Sequence, residues 1–388
     1  MSCGVFPGTP ILPVNLVQLD LQTQPGGAET YAAFCCRAFA ELGIKTRLLI
    51  HPQAHFWSNM SLGAGTECVP VADPAGELLQ PRATPSWFLI HSPIPLRLRQ
   101  TRPGHLTSAF AHMPVLGRDP ENAFGGYGLI FPVSEWVRQG LLQHGLPAWR
   151  EPLYGVADLP APSNDGRIIR HSRYAWDRRK GRDRLLEIVE PLHEGLRTRA
   201  SFERRPGLTL GIVSRLTPIK QFPLMFSILA PILARHPRVN LEIFGSGGYA
   251  SVRDLDKALA PCAGQVRFWG LQSDVASVYR QLDFLLTGLP EKEALGLNII
   301  EAQACGTPVL AVDAPPFTET ILKGRTGHFF RDPRNDGGAD FERLLQELIS
   351  RPEKLHPQLE TAHLARFSFD AFVERLKPVV AEIEARLG

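Results

Sequence analysis

From Thr209 onward, short apolar runs alternate with stretches of helical period, and that alternation leaves few folds open to the chain. TLGIVS (209–214) is one such run. The segment after it sets Phe222, Met225, Phe226, Leu229 and Leu233 at i, i+3, i+4, i+7 and i+11, one face of a helix. Pro223 suits the first turn of that helix, whereas Pro231 predicts a kink. NLEIFG, VRFWG, FLLTG, PVLAV and GHFF follow, most of them separated by helical segments. Strands that are apolar throughout are buried on both faces. When helices separate them, they build a parallel sheet with helices on each side.

The first half repeats the pattern less sharply. LVQLD (16–20), TRLLI (46–50), WFLIH (87–91), SAFAH (108–112) and GLIFPVS (128–134) read as strands, and PGGAE turns the chain into a helix over about 28–42. A length of 388 residues suits two domains. The expectation is α/β: two Rossmann-like doubly wound domains facing a central cleft. The first spans 1–160 and is completed by 367–388. A basic interdomain segment covers 161–206, and the second domain covers 207–366. Sheets of this kind bind ligands at the carboxyl ends of their strands. The last segment, RFSFDAFVERLKPVVAEIEARL, predicts a helix bent at Pro378.

Composition narrows the function classes. A net charge of +3 gives no global basic field for nucleic acid. Cys3, Cys35, Cys36, Cys68, Cys262 and Cys305 fit neither a zinc pattern nor a disulfide framework, and read as reduced thiols of a cytosolic protein. The N-terminus lacks the pattern of a signal peptide, and no apolar run approaches the ~20 residues of a membrane span. The chain is expected to be cytoplasmic and at most peripheral on the inner membrane face. One local exception stands out. From Arg167 to Arg184 there are eight Lys/Arg against two Asp, which suits either a solvated interdomain helix or a patch for an anionic membrane surface or acceptor.

Candidate site residues cluster at predicted strand ends. Arg215 and Lys220, in SRLTPIKQF, lie between a strand and a helix, where a diphosphate meets cations and free helix-terminal amides together. Glu293 and Glu301 stand eight apart in EALGLNIIE. A helix start near Gly296 and Leu297 puts Glu301 in the second turn and Glu293 in the loop before it. A carboxylate accepts two hydrogen bonds and so suits a ribose diol, and Gly296 lets backbone approach a ligand. GSGG, with Gly245, and GGAE, with Gly26 and Gly27, suit tight strand-to-helix turns, although neither is a full dinucleotide fingerprint. Each of these residues also has an ordinary structural role open to it: a solvated cation, a charge opposing a helix dipole, a turn. His112 ends SAFAH, and His91 ends WFLIH and competes with it.

SRLTPIKQF, LEIFGSGGY, VRFWG and above all EALGLNIIEAQACGTPVLA, followed by FTETILKGRTGHFF, resemble the group 1 (family 4) retaining glycosyltransferases of GT-B architecture. The first half is similar more loosely, through GGAE, His-Met-Pro, FPVS and LYGVAD. The resemblance implies that Arg215 and Lys220 hold the donor's pyrophosphate and that Glu301 holds the ribose. It implies that Glu293 contacts the donor sugar and that His112 lies beside the reacting carbon from the opposite domain. Gly26 and Gly27 would bring backbone to the phosphate or acceptor. The final helix would cross back onto the first domain. The partners implied are a nucleotide-diphosphate-sugar donor and an acceptor of unknown identity. No cofactor and no metal are expected. The sequence departs from the family at Ser214 and Gln221, where Gly is common, in TGLPEKEALG before Glu293, and at Tyr154, where Asn is usual. Two rivals use the same architecture, a catalytically silent nucleotide-sugar-binding scaffold and a nucleotide-sugar epimerase. A nicotinamide dehydrogenase would need the full Gly-x-Gly-x-x-Gly turn, which is missing.

Overall fold

A computed structural model describes residues 15–80, 84–100, 103–157, 159, 166–176, 181, 188, 200–351 and 354–387. The chain forms two compact units, Met1–Val156 with Arg366–Gly388, and Ala157–Ala365.

The first unit is built on six parallel strands: β1 (Asn15–Asp20), β2 (Thr46–Ile50), β3 (Thr66–Pro70), β4 (Ser86–Ile90), β5 (His105–Ala111) and β6 (Leu129–Pro132). They lie in the order β3-β2-β1-β4-β5-β6. Leu19 of β1 pairs with Leu49 on one side and Ile90 on the other, and all three are buried. Strand β3 has no counterpart in the sequence reading. It is an edge strand, mostly exposed, and it closes on Pro70, so it carries no apolar run. Helix α1 (Gly27–Glu41) packs against the final helix, Phe369–Leu387, which runs on past Pro378 and buries Phe372, Leu376, Val379 and Ile383. The Phe372 ring lies 6.4 Å from Phe34 and 6.5 Å from Tyr31. Tyr154 faces Phe367 edge-on at 5.7 Å, and the guanidinium groups of Arg366 and Arg375 each stand 5.2 Å from its ring.

The second unit repeats the plan. Its elements are β7 (Leu208–Val213), α2 (Phe222–Ala234), β8 (Val239–Phe244), β9 (Val266–Gly270), α3 (Val275–Tyr279), β10 (Phe284–Leu286), α4 (Leu297–Ala304), β11 (Val309–Val312) and β12 (Gly327–Phe330). The sheet order is β12-β11-β10-β7-β8-β9. Counted from the unit's own first strand, this is the order of the first unit and of the doubly wound dinucleotide folds. The helical face read from Phe222 to Leu233 is buried, and α2 continues through Pro231 to Ala234. On β8 the carboxylate of Glu242 is fully buried. Arg267, Arg205 and the Trp269 indole N–H, the last at 2.7 Å, all donate to it.

The basic stretch falls partly outside the described residues, which include only 167–176 and Gly181 of its span to Arg184. Over 166–176 it packs on the second unit. Ile168 is buried, and His171 and Ala175 donate backbone N–H groups to Trp269 and Gly247. Arg173 pairs with Asp256 at 2.9 Å, and Arg170 lies over the Trp269 ring. Two of the basic side chains are thus held against the domain. Among the described residues no helix is long and apolar enough to cross a membrane. Of the described cysteines, none of them in a disulfide, Cys35, Cys36 and Cys262 are buried, whereas Cys68 is exposed.

Candidate functional site

In the second unit the strand order reverses between β7 and β10, and the crevice beyond their carboxyl ends is where such a sheet takes a ligand. Seven of the sequence-selected residues sit on elements at that end. Arg215 follows β7. Lys220 ends the short 3-10 turn Pro218–Lys220, just before α2. Gly245 follows β8 with φ 138°, and a Cβ there would stand 1.9 Å from the Ser214 carbonyl oxygen, so only glycine lets these two strand ends meet. Gly296 caps α4 with φ 85°, and its Cβ would strike Ile299 at 2.7 Å. Leu297 is the first helical residue, and its neighbouring amides are among those a helix start leaves without intrahelical partners. Glu301 lies in the second turn of α4, and Glu293 lies in the loop before it.

The side chains are already engaged with one another. Lys220 Nζ forms an ion pair with Glu293 Oε2 across the mouth of the switch point. Tyr279, the last residue of α3, donates its hydroxyl to Glu301 Oε2 at 2.9 Å. Burial pushes the Glu301 carboxyl above the usual carboxylate range, against the opposing pull of the Tyr279 hydroxyl. Asn298 donates to the Val213 carbonyl at 3.1 Å and ties α4 to the end of β7.

Around Glu301 and Arg215 lies a cavity of about 170 Å³. Its other walls include Phe244, Leu271, Val275 and Tyr279, a largely apolar slot sized for a flat ring beside a carboxylate. A larger cavity, about 590 Å³, opens where Leu208, Phe284 and Pro308 begin or precede their strands. That is the amino end of the sheet, so the smaller cavity is the one the topology assigns to a ligand. Tyr279 and the slot residues were invisible in the sequence, since an aromatic ending a short helix reads as core. Gln221, where the sequence departs from the family's Gly, has φ 53° and ψ 24°. The left-handed turn that a glycine would serve is therefore kept by a glutamine.

The remaining selected residues lie in the first unit. Gly26 caps α1 and Gly27 opens it. His112 follows β5. His91, its competitor, follows β4, and the fold brings the two together: His91 Nδ1 and His112 Nε2 are 3.1 Å apart. Burial pushes the His112 imidazole down to about 3 and depresses His91 as well. Asp20, at the end of β1, was not selected. It accepts from Ser92 Oγ at 2.8 Å and from the Gln22 amide at 3.0 Å, and burial raises its carboxyl pKa.

Comparison with known proteins places this arrangement. Residues 207–351 match the family described as glycosyl transferases group 1. Among curated relatives, the D-inositol 3-phosphate glycosyltransferase of Rhodococcus erythropolis is 31% identical over 186 residues, which is 44% of this chain and 41% of that one. The protein of the same name from Rhodococcus opacus is 29% identical over 207 residues, 48% of this chain and 45% of that one. The match therefore spans less than half the length of these relatives. Among solved structures, Anabaena HepE in complex with UDP and glucose superposes with a TM-score of 0.68 at 15% identity, covering 95% of this chain and all of the other. Sucrose-phosphate synthase from Thermosynechococcus elongatus gives 0.66 at 14% identity, covering 96% of this chain and all of the other. These likenesses carry the fold, two Rossmann-like units of the GT-B kind.

Proposed function

We propose that the protein is a retaining, metal-independent glycosyltransferase that moves a sugar from a nucleotide-diphosphate sugar to an acceptor hydroxyl. The observation that carries this reading is the gathering of Arg215, Lys220, the start of α4 and Glu301 around the switch point of the second unit. The base enters the slot beside Leu271 and Tyr279, and the ribose diol donates to Glu301. Arg215, Lys220 and the first amides of α4 face the diphosphate. The bond from the anomeric carbon to the diphosphate oxygen breaks, and the acceptor oxygen bonds to the same face of that carbon. The acceptor's proton passes to the departing phosphate oxygen. Preorganised cations oppose the charge that grows on the leaving group. Glu293 turns from Lys220 to the donor sugar's hydroxyls, and His112 and the Gly26–Gly27 turn serve the sugar and acceptor. UDP and a sugar in complex with HepE support a donor of this class.

A thermal-shift panel of nucleotide sugars selects the donor, because a ligand raises stability with its occupancy. Turnover is then measured for Lys220→Ala, which is expected to fall by about 10² to 10³ while the fold survives. Unchanged turnover overturns the assignment. Tight donor binding by the native protein with no transfer or hydrolysis would make it a nucleotide-sugar-binding scaffold instead.

A further inference from the structure

At the carboxyl end of the first sheet a line of hydrogen bonds runs inward from His112. His112 Nε2 faces His91 Nδ1 at 3.1 Å, and His91 Nε2 faces Gln18 Oε1 at 2.9 Å. Gln18 Nε2 in turn donates to Cys36 Sγ at 3.2 Å. Gln18 and Cys36 are fully buried and His91 is 6% exposed, so water does not complete the line. The rings are also fixed in plane. His91 stacks on Phe110 at 5.2 Å and 15°, Phe110 stacks on His112 at 5.4 Å and 12°, and Tyr31 meets His112 edge-on at 5.1 Å.

An imidazole that is neutral has one N–H and one lone pair, so each bond in this line decides the next. The Gln18 carbonyl oxygen can only accept, which places the His91 proton on Nε2. His91 Nδ1 is then a lone pair and can only accept, which places the His112 proton on its own Nε2. His112 Nδ1 is left as the lone pair, and among the described residues it takes no hydrogen bond.

We propose that His91, backed by Gln18, is a positioning residue that holds His112 as the Nε2–H tautomer and so presents its Nδ1 as a hydrogen-bond acceptor for a hydroxyl of the sugar substrate. The proposal rests on His112 serving the sugar, as argued above, and adds the sense of the contact. The hydroxyl donates and the histidine accepts. A substrate whose group at that position can only accept, such as a methyl ether or fluoride, loses the contact and faces two opposed lone pairs.

The decisive measurement is ¹⁵N NMR of the imidazole rings in the full chain, which distinguishes the two tautomers directly. His112→Asn assigns the resonances. The native protein is expected to show His112 protonated on Nε2. His91→Phe keeps the stacked ring on Phe110 but removes the acceptor. It is expected to mix the tautomers of His112 and to lower kcat about tenfold or more, with a smaller change in KM. His91→Gln, whose amide oxygen can still accept, is expected to restore both. Gln18→Leu, a change of similar volume, repeats the test one link further in and guards against a folding defect in His91→Phe. A native His112 protonated on Nδ1, or a tautomer unmoved by both His91→Phe and Gln18→Leu, overturns the proposal. Normal turnover in His112→Ala would instead remove His112 from the site. That failure is distinguishable, because the tautomer result is read without activity.

Discussion

Glu293→Gln separates two roles that the ion pair with Lys220 ties together, and it moves two measurable affinities in opposite directions. Before donor arrives, Lys220 Nζ is bound to the Glu293 carboxylate, with side chains 24% and 17% exposed. Lys220 must leave that partner to face a diphosphate. Exposed pairs are worth about 0.2–1 kcal/mol, and this pair is more enclosed than those, so releasing Lys220 costs about 1 kcal/mol. At 1.4 kcal/mol per factor of ten, the glutamine variant is expected to bind a nucleoside diphosphate that lacks a sugar about fivefold more tightly. The same change removes the carboxylate proposed to accept from the sugar's hydroxyls, so turnover is expected to fall by about 10². The assay is isothermal titration with UDP beside steady-state transfer, at low and high salt. The gain in UDP affinity is electrostatic and is expected to shrink as salt screens it. If UDP affinity falls together with turnover, the pair is not a competitor for the phosphate, and the separation of roles proposed for Lys220 and Glu293 is refuted.

Three further expectations follow from buried or strained groups. Glu301→Gln keeps an acceptor for the Tyr279 hydroxyl but removes a carboxylate whose pKa burial has raised. Because ionisation is disfavoured in the folded state, Glu301 lowers native stability above its folded pKa and gives that stability back as pH falls through it. The variant is therefore expected to resist urea better than the native chain at pH 7, with the advantage shrinking on acidification, while nucleotide affinity drops about tenfold or more through weaker bonds to the ribose. Donor affinity of the native chain is expected to decline on acidification at a pH above the ordinary carboxylate range, as titration across pH would reveal. Gln221→Gly relieves a left-handed residue at φ 53°, a strain of about 1–2 kcal/mol, against a glycine entropy cost of about 0.5–1 kcal/mol. Denaturant melts are expected to show a net gain of up to about 1.5 kcal/mol with donor binding unchanged. Glu242→Ala strips the buried acceptor from Arg267, Arg205 and Trp269 and is expected to destabilise by about 3 kcal/mol. A melt within 1 kcal/mol of native would show that the cluster contributes little.

The second unit was more legible in the sequence than the first because of where its strands lie. β7, β8, β10 and β11 are central and buried, so most of their residues are apolar and stand out against polar turns. β3 is an edge strand whose residues face solvent, and nothing in TECVP separates it from a loop. The cations and carboxylates of the second unit could be singled out as candidates because they lie close to the ends of strands that the sequence shows. Tyr279 and the slot beside it were not, since their meaning comes from α3 meeting α4, a contact with no signature in local spacing.

Departures from the family pattern were legible as differences but not as consequences. Gln221 looked like a lost glycine, yet the backbone there still takes the left-handed turn, so the geometry survived and the substitution shows up as strain. Tyr154 looked like a lost polar residue. Its ring instead meets Phe367, Arg366 and Arg375, so the position has become part of the packing that fastens the last helix to the first unit. His91 and His112 were weighed as competitors because each ends a strand in its own run. β4 and β5 are neighbours in the sheet, so two residues that follow neighbouring parallel strands stand side by side. The competition was a partnership that sequence spacing, with the two histidines 21 positions apart, had no means to express.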